Sequence, residues 1–202
     1  NTLTGFISEC GRSYWTPSVV DNYWSLNEDA YYWSQNDYVG CATIANSKVS
    51  NYPDGNIVEK GGQAFKLRQI VPTARNVKTC SRSFGSCTTL TDFSTSNSSV
   101  TSVLEDLEIN GARGKNIAEE LDKSDNVMRP SSHGDVLHSR PMPINYGTEA
   151  SPNVVVYYGG NDGMLRAING NRDSALTTSD GTVYEAGAEL WSFMPPEFYS
   201  KI

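Results

Sequence analysis

No stretch of this chain comes near eighteen consecutive apolar residues, so nothing in it reads as a membrane-spanning helix. Charge is sparse as well: only 19% of its 202 residues are Asp, Glu, Lys or Arg, while Ser, Thr, Asn, Gly and Tyr abound. That balance describes a β-rich, loop-rich exported protein rather than a helical cytosolic enzyme. The length suits one or two domains. The net charge is −7, and no basic patch is present to meet phosphates, which argues against a nucleic-acid partner. It equally disfavours docking on anionic lipid. No G-x-S-x-G elbow, P-loop or H-E-x-x-H run occurs. The chain starts at Asn1 with neither Met nor a signal-peptide pattern and stops at Ile202 just after a strand, so it reads as a processed or excised piece of something longer.

What the chain does have begins with four cysteines: Cys10, Cys41, Cys80 and Cys87. Zinc would want gaps of two to four residues and a second pair or histidines nearby, and the spacing offers neither. Even pairing in an oxidising space is the favoured reading, with some free buried thiols as the alternative. Cys80–Cys87 would close a polar eight-residue loop, worth about 2.5 kcal/mol on the chain-entropy estimate. Cys10–Cys41 would close thirty-two residues, worth roughly 3.7 kcal/mol.

Organisation comes in three stretches. Residues 1–50 cluster aromatics, Tyr14-Trp15, Tyr23-Trp24, Tyr31-Tyr32-Trp33 and Tyr38, among polar residues without a sustained period. They are expected to pack the loops of a small β region, where each buries much area; a sugar-stacking surface is the sharper alternative. In residues 51–130, Gly61–Ile70 suggests a short amphipathic turn or strand and Val77–Thr91 a disulfide-pinned hairpin. Asn97-Ser98 then opens a helix with Val100, Val103, Leu104 and Leu107 at helical spacing and Gly111 placed to end it. A second short helix, Ile117–Leu121, follows Asn116 as its cap, and Asp122–Arg129 reads as a polar loop. Residues 131–202 form a sheet unit. Val154–Tyr158 is a β-branched and aromatic run, Asn161-Asp162-Gly163 a tight-turn signal, and Met164–Ile168 a second run. A third run, Glu189–Met194, stops at Pro195-Pro196. Val154, Val156, Leu165 and Ala167 are expected to supply the buried faces. Three consecutive antiparallel strands are the bulk of one propeller blade.

The motifs GDVLHSRP (134–141), YYGGNDGMLRAING (157–170) and ELWSFMPPEF (189–198) carry a resemblance. With YPDGNIVEKGG (52–62) and Leu67-Arg68 ahead of them, they resemble the opening blade, and its lead-in, of the propeller in the PilC/PilY type IV pilus tip adhesin and biogenesis family. The resemblance covers roughly residues 51–202. It implies a mainly β chain with a partial, quinoprotein-like propeller. Residues 1–130 would form an aromatic, disulfide-containing lead-in with short helices, and 131–202 the first blade. It implies a non-enzymatic role in pilus assembly and adhesion, at the pilus tip or outer cell surface, after export through the periplasm. The partners implied are minor pilins and a host or abiotic surface. One blade cannot close a ring, so its open edge calls for the rest of the propeller or a second chain, with Trp191 and Phe193 at the contact. The competing reading is a fragment of a quinone-dependent dehydrogenase propeller, in which Glu189-Leu190-Trp191 would be a blade-locking motif; nothing in the segment supplies a quinone site.

Three residues ahead of the sheet, His133, Asp135 and His138, invite a metal test. In a strand His133 and Asp135 share a face while His138 points from the other, and on a helix the two rings diverge, so neither geometry joins them on one ion. Structural roles are expected instead: His133, Asp135 and His138 satisfying turn backbone beside Gly134, with Arg140 pairing nearby. The run Gly159–Gly163 joins strands rather than opening a helix, which disfavours a phosphate cradle. The family resembled here is known for a calcium loop of alternating Asp or Asn residues. Asp54-Gly55-Asn56 and Asn27-Glu28-Asp29 fall short of such a loop, so calcium is expected elsewhere in the full-length protein and no cofactor in this segment. Arg113-Gly114 is followed by Lys115, so the integrin tripeptide is absent.

Overall fold

The computed structural model describes Trp15 and residues 61–80, 87–117, 128–129 and 132–202. The chain forms a helix α1 (Gly62–Arg68), a 3-10 turn (Pro72–Ala74), and strands β1 (Val77–Cys80) and β2 (Leu90–Asp92). Two short helices, α2 (Ser98–Thr101) and α3 (Asp106–Ala112), lead into β3 (Met142–Asn145), β4 (Val154–Gly159) and β5 (Leu165–Asn169). A small hairpin, β6 (Leu176–Thr177) and β7 (Val183–Tyr184), precedes β8 (Glu189–Phe193) and a closing 3-10 turn, Pro196–Lys201.

Six strands share one sheet in the order β2-β1-β8-β5-β4-β3. Every pairing is antiparallel except β1 with β8, which is parallel. The three antiparallel strands expected from the apolar runs are therefore β4, β5 and β8. The sheet is mainly antiparallel with short helices beside it; no closed barrel or propeller is seen among the described residues. The edge of β8, expected to stand open, is occupied within the chain: Ser192 donates its backbone N–H to Asn76 at 3.0 Å and Met194 donates to Lys78 at 2.8 Å. The first pairing of the expected hairpin also holds, with β1 against β2 and Cys80 bonded to Cys87 across a Cα separation of 5.2 Å. Cys10 and Cys41 lie outside the described residues, as do residues 118–121 of the second expected helix.

Several expectations need correction. Within Gly61–Ile70, residues Gly62–Arg68 fold as helix α1 rather than as a turn or strand. The helix opened at Asn97 does start there, its side chain accepting from Ser99 N at 3.0 Å. It ends after Thr101, and a new helix begins at Glu105, whose side chain exchanges capping bonds with Glu108. A Glu cap interrupts what apolar spacing alone reads as one helix. Val103 and Leu107 are consequently exposed while Val100, Leu104 and Ile109 are buried. Gly111 sits inside α3 against Ile117, where a Cβ would lie 2.8 Å from Cδ1. It does not end the helix.

Two apolar clusters flank the sheet. Val77, Phe93, Val100, Leu104, Ile109, Met164, Met194 and Tyr199 pack on the helical side. Val155, Ala167, Leu176 and Leu190, with Tyr157, Tyr184 and Trp191 beside them, pack on the side of the β6–β7 hairpin. The expected buried set was one residue out of register on β4. Val155 and Tyr158 are the buried positions, Val154 and Val156 are half-buried, and Leu165 is exposed. Strands covered on both faces lack the strict alternation that would have revealed this.

Candidate functional site

On the helical face the sheet buries charge. Three local devices bring the charged groups together. The β4–β5 connection is a three-residue loop, Asn161-Asp162-Gly163: Gly163 donates to the Gly160 carbonyl at 3.1 Å and Gly160 donates to Met164 at 2.9 Å. Gly163 takes φ 79°, which glycine adopts without strain. This is the expected hairpin with a longer loop than a two-residue primed turn. The loop aims Asp162 back at Arg166.

The second device is a bulge in β8. Ala167 faces Trp191, but the next pair is Ile168 with Glu189, so Leu190 is the extra residue. The bulge sends Leu190 and Trp191 to the same side, into the hairpin-side cluster, and returns Glu189 to the side that carries Arg166. Asn76 Nδ2 donates to the Leu190 carbonyl at 3.2 Å, so the interrupted ladder keeps a partner.

The third device is the segment before β1, which delivers Arg75. Its Nε and Nη2 donate to the two Glu189 carboxylate oxygens at 2.7 and 2.9 Å, a bidentate fork. Arg166 Nε donates to Glu189 Oε2 at 3.2 Å, and its two terminal nitrogens grip both oxygens of Asp162. The result is a buried ladder, Asp162–Arg166–Glu189–Arg75, with two charges of each sign. Arg113 closes its end, donating to the carbonyls of Phe93 and Arg75, each at 2.7 Å.

Burial by itself would raise both carboxylic acids, but the guanidinium partners prevail. Arg166, with the backbone amides of Gly134 and Met164, holds Asp162 down at about 2. Arg75 and Arg166 hold Glu189 below its ordinary value. Burial and the nearby Arg75 lower Arg113, whereas Asp162 and Glu189 outweigh burial and raise Arg166.

The residues expected to matter divide around this ladder. His133 is buried on its flank, Nε2 2.7 Å from the Tyr158 hydroxyl. Its Nδ1 has no hydrogen-bond partner. Burial first, then Arg166, lowers its pKa to about 4. Gly134 donates its N–H to Asp162 Oδ2 at 3.0 Å, and any Cβ there would stand 2.5 Å from the Asp162 amide nitrogen. At Asp135 it is the backbone carbonyl that meets the turn, accepting from Asn161 N at 2.8 Å; its side chain is exposed. His138 and Arg140 are exposed, and among the described residues Arg140 forms no ion pair. The expected Arg140 pairing is thus replaced by Arg166, which the buried carboxylates face. Trp191 is half-buried on the opposite side, its ring 6.0 Å from that of Tyr157.

Sequence reading found Asp162 but missed Arg75, Arg113, Arg166 and Glu189. Charged residues within apolar runs, at Arg166 and Glu189, were the available signal. The described residues hold no cluster of three His, Cys, Asp or Glu side chains suited to a metal, and no helix long and apolar enough to cross a membrane. A comparison with family models, curated proteins and solved structures finds no match to this chain.

Proposed function

We propose that this chain is a non-enzymatic scaffold segment of a type IV pilus tip protein, exported through the periplasm and displayed at the pilus tip or outer cell surface. The observation that carries the reading is the antiparallel order β3-β4-β5-β8, the strand complement of one propeller blade. The YYGGNDGMLRAING motif supplies the turn at its centre. The buried ladder supports it: both acids and both guanidiniums are committed to one another, which suits a rigid mount. The Cys80–Cys87 bond fits an oxidising compartment. In this role the blade belongs to a larger propeller, or meets a second chain, and links minor pilins to a host or abiotic surface. Calcium, if the protein uses it, binds elsewhere in the full-length chain.

Crosslinking in cells that make the full protein, followed by affinity capture and mass spectrometry, tests this. The reading expects minor pilins among the captured chains. Recovery of no pilin from cells that assemble pili would overturn it.

A further inference from the structure

Residues 132–140 run as a strap over the β4–β5 hairpin, held by four attachments. His133 Nε2 meets the Tyr158 hydroxyl at 2.7 Å, and Gly134 N–H meets Asp162 Oδ2 at 3.0 Å. The Asp135 carbonyl accepts from Asn161 N at 2.8 Å, and Ser139 Oγ accepts from Gly159 N at 2.8 Å. Two attachments involve groups that titrate in acid, His133 and Asp162, and Asp162 stays ionised until about 2, so His133 is the one that changes charge in mild acid. His133 is 8% exposed, and its second nitrogen is buried with nothing to bond.

The surroundings of that ring decide what a proton would meet. Tyr158 faces it from β4, Asp162 from the β4–β5 loop, Arg166 from β5 and Glu189 from β8. Tyr158 is neutral, since burial raises its pKa. Asp162 is gripped by Arg166, and Glu189 by Arg75 and Arg166. The ladder is already neutral, so a proton on the ring adds a buried cation beside Arg166, which the Gly134 backbone, Asp162 and Glu189 offset only in part.

We infer that the strap is an acid-released clasp: protonation of His133 detaches residues 132–140 from the β4–β5 hairpin while the ladder beneath stays intact. The sign follows from which form the closed state tolerates. Neutral His133 is favoured with the strap closed, where its pKa is about 4, and a released ring returns toward 6.5. The stabilisation of the closed clasp is therefore fully present above 6.5 and is lost as pH falls toward 4. Linkage between those two values multiplies the open population on the order of twentyfold from pH 7 to pH 5. Asp162 and Glu189 stay ionised across that window, since both are held below their ordinary values. The exposed partner for a released strap is solvent; β3, the edge strand that follows it, is exposed along its whole length.

Amide hydrogen exchange on the intact chain at pH 7 and pH 5, corrected for intrinsic exchange rates, tests the clasp. Protection of the amides that make the attachments, Gly134, Gly159 and Asn161, should fall about twentyfold, while peptides covering 165–169 keep theirs. His133→Gln should abolish that pH dependence and His138→Gln should leave it unchanged. The wild-type measurement stands even if His133→Gln does not fold. Unchanged strap protection at pH 5, loss of protection in strap and β5 together, or a pH response that survives His133→Gln would each overturn the clasp.

Discussion

Arg75 and Arg113 hold each other's backbone: Arg75 Nη1 donates to the Arg113 carbonyl at 3.2 Å, and Arg113 Nη2 donates to the Arg75 carbonyl at 2.7 Å. Two like charges are thereby fixed side by side in the interior. Glu189 neutralises one, and peptide dipoles surround the other. The pair ties the end of α3 to the entry of β1, and through Glu189 to β8. Helical layer and sheet are locked at one point.

That lock predicts an asymmetric mutational response. Glu189→Ala leaves Arg75 uncompensated and should cost about 3–5 kcal/mol in urea unfolding. Replacing both partners by apolar residues, Arg75→Met with Glu189→Leu, should cost clearly less than the sum of the single changes. Additive losses would mean the pair is not the coupled unit described.

Backbone crowding gives a second expectation. Gly134→Ala forces a Cβ to 2.5 Å from the Asp162 amide nitrogen, so strap or loop must move. Gly163→Ala meets only ordinary contact with Phe198, 3.6 Å away, and incurs the left-handed backbone penalty alone, about 1–2 kcal/mol. Thermal unfolding should therefore rank Gly134→Ala as the more damaging change.

Acid should weaken the fold in two stages. Stability linked to neutral His133 is present above 6.5 and disappears toward about 4. Stability linked to ionised Asp162 is present above 3.8 and disappears toward about 2. The pH dependence of the urea midpoint should lose its upper stage in His133→Gln and its lower stage shrink in Asp162→Asn.

How much of this was legible follows from particular residues. The β4–β5 hairpin was readable because Asp162-Gly163 separates two apolar runs, and the Cys80–Cys87 bond because a polar turn lies between those cysteines. The face of β4 was not readable: Val154, Val155 and Val156 are all apolar, and both sides of the sheet are covered. Nor was the bulge at Leu190, since an extra residue in β8 leaves no mark until β5 is laid beside it. Without the bulge Glu189 would point away from Arg166, so the ladder was hidden along with it. The parallel β1–β8 pair joins residues more than a hundred positions apart, which no local pattern reports.

The corrected face is itself testable. Val155→Asp places an unpaired charge among Ala167, Leu176 and Leu190 and should cost several kcal/mol. Val156→Asp, at a half-buried position, should cost less. Circular dichroism melts of the two variants should separate clearly, and an inverted order would place the strand on the other face.

Reduction of Cys80–Cys87 should lower stability by about 2.5 kcal/mol on the chain-entropy estimate. Denaturation with and without reductant, in a Cys10→Ser, Cys41→Ser variant, isolates that bond. No change on reduction would show that the loop is held without it.

The scaffold role is tested most directly on sheared pili. Pili removed from cells making the full protein, purified and digested, should yield peptides of this chain together with minor pilins, and deleting its coding region should reduce the number of surface pili. Pili that lack the chain, on cells whose pilus number is unchanged by the deletion, would contradict the account.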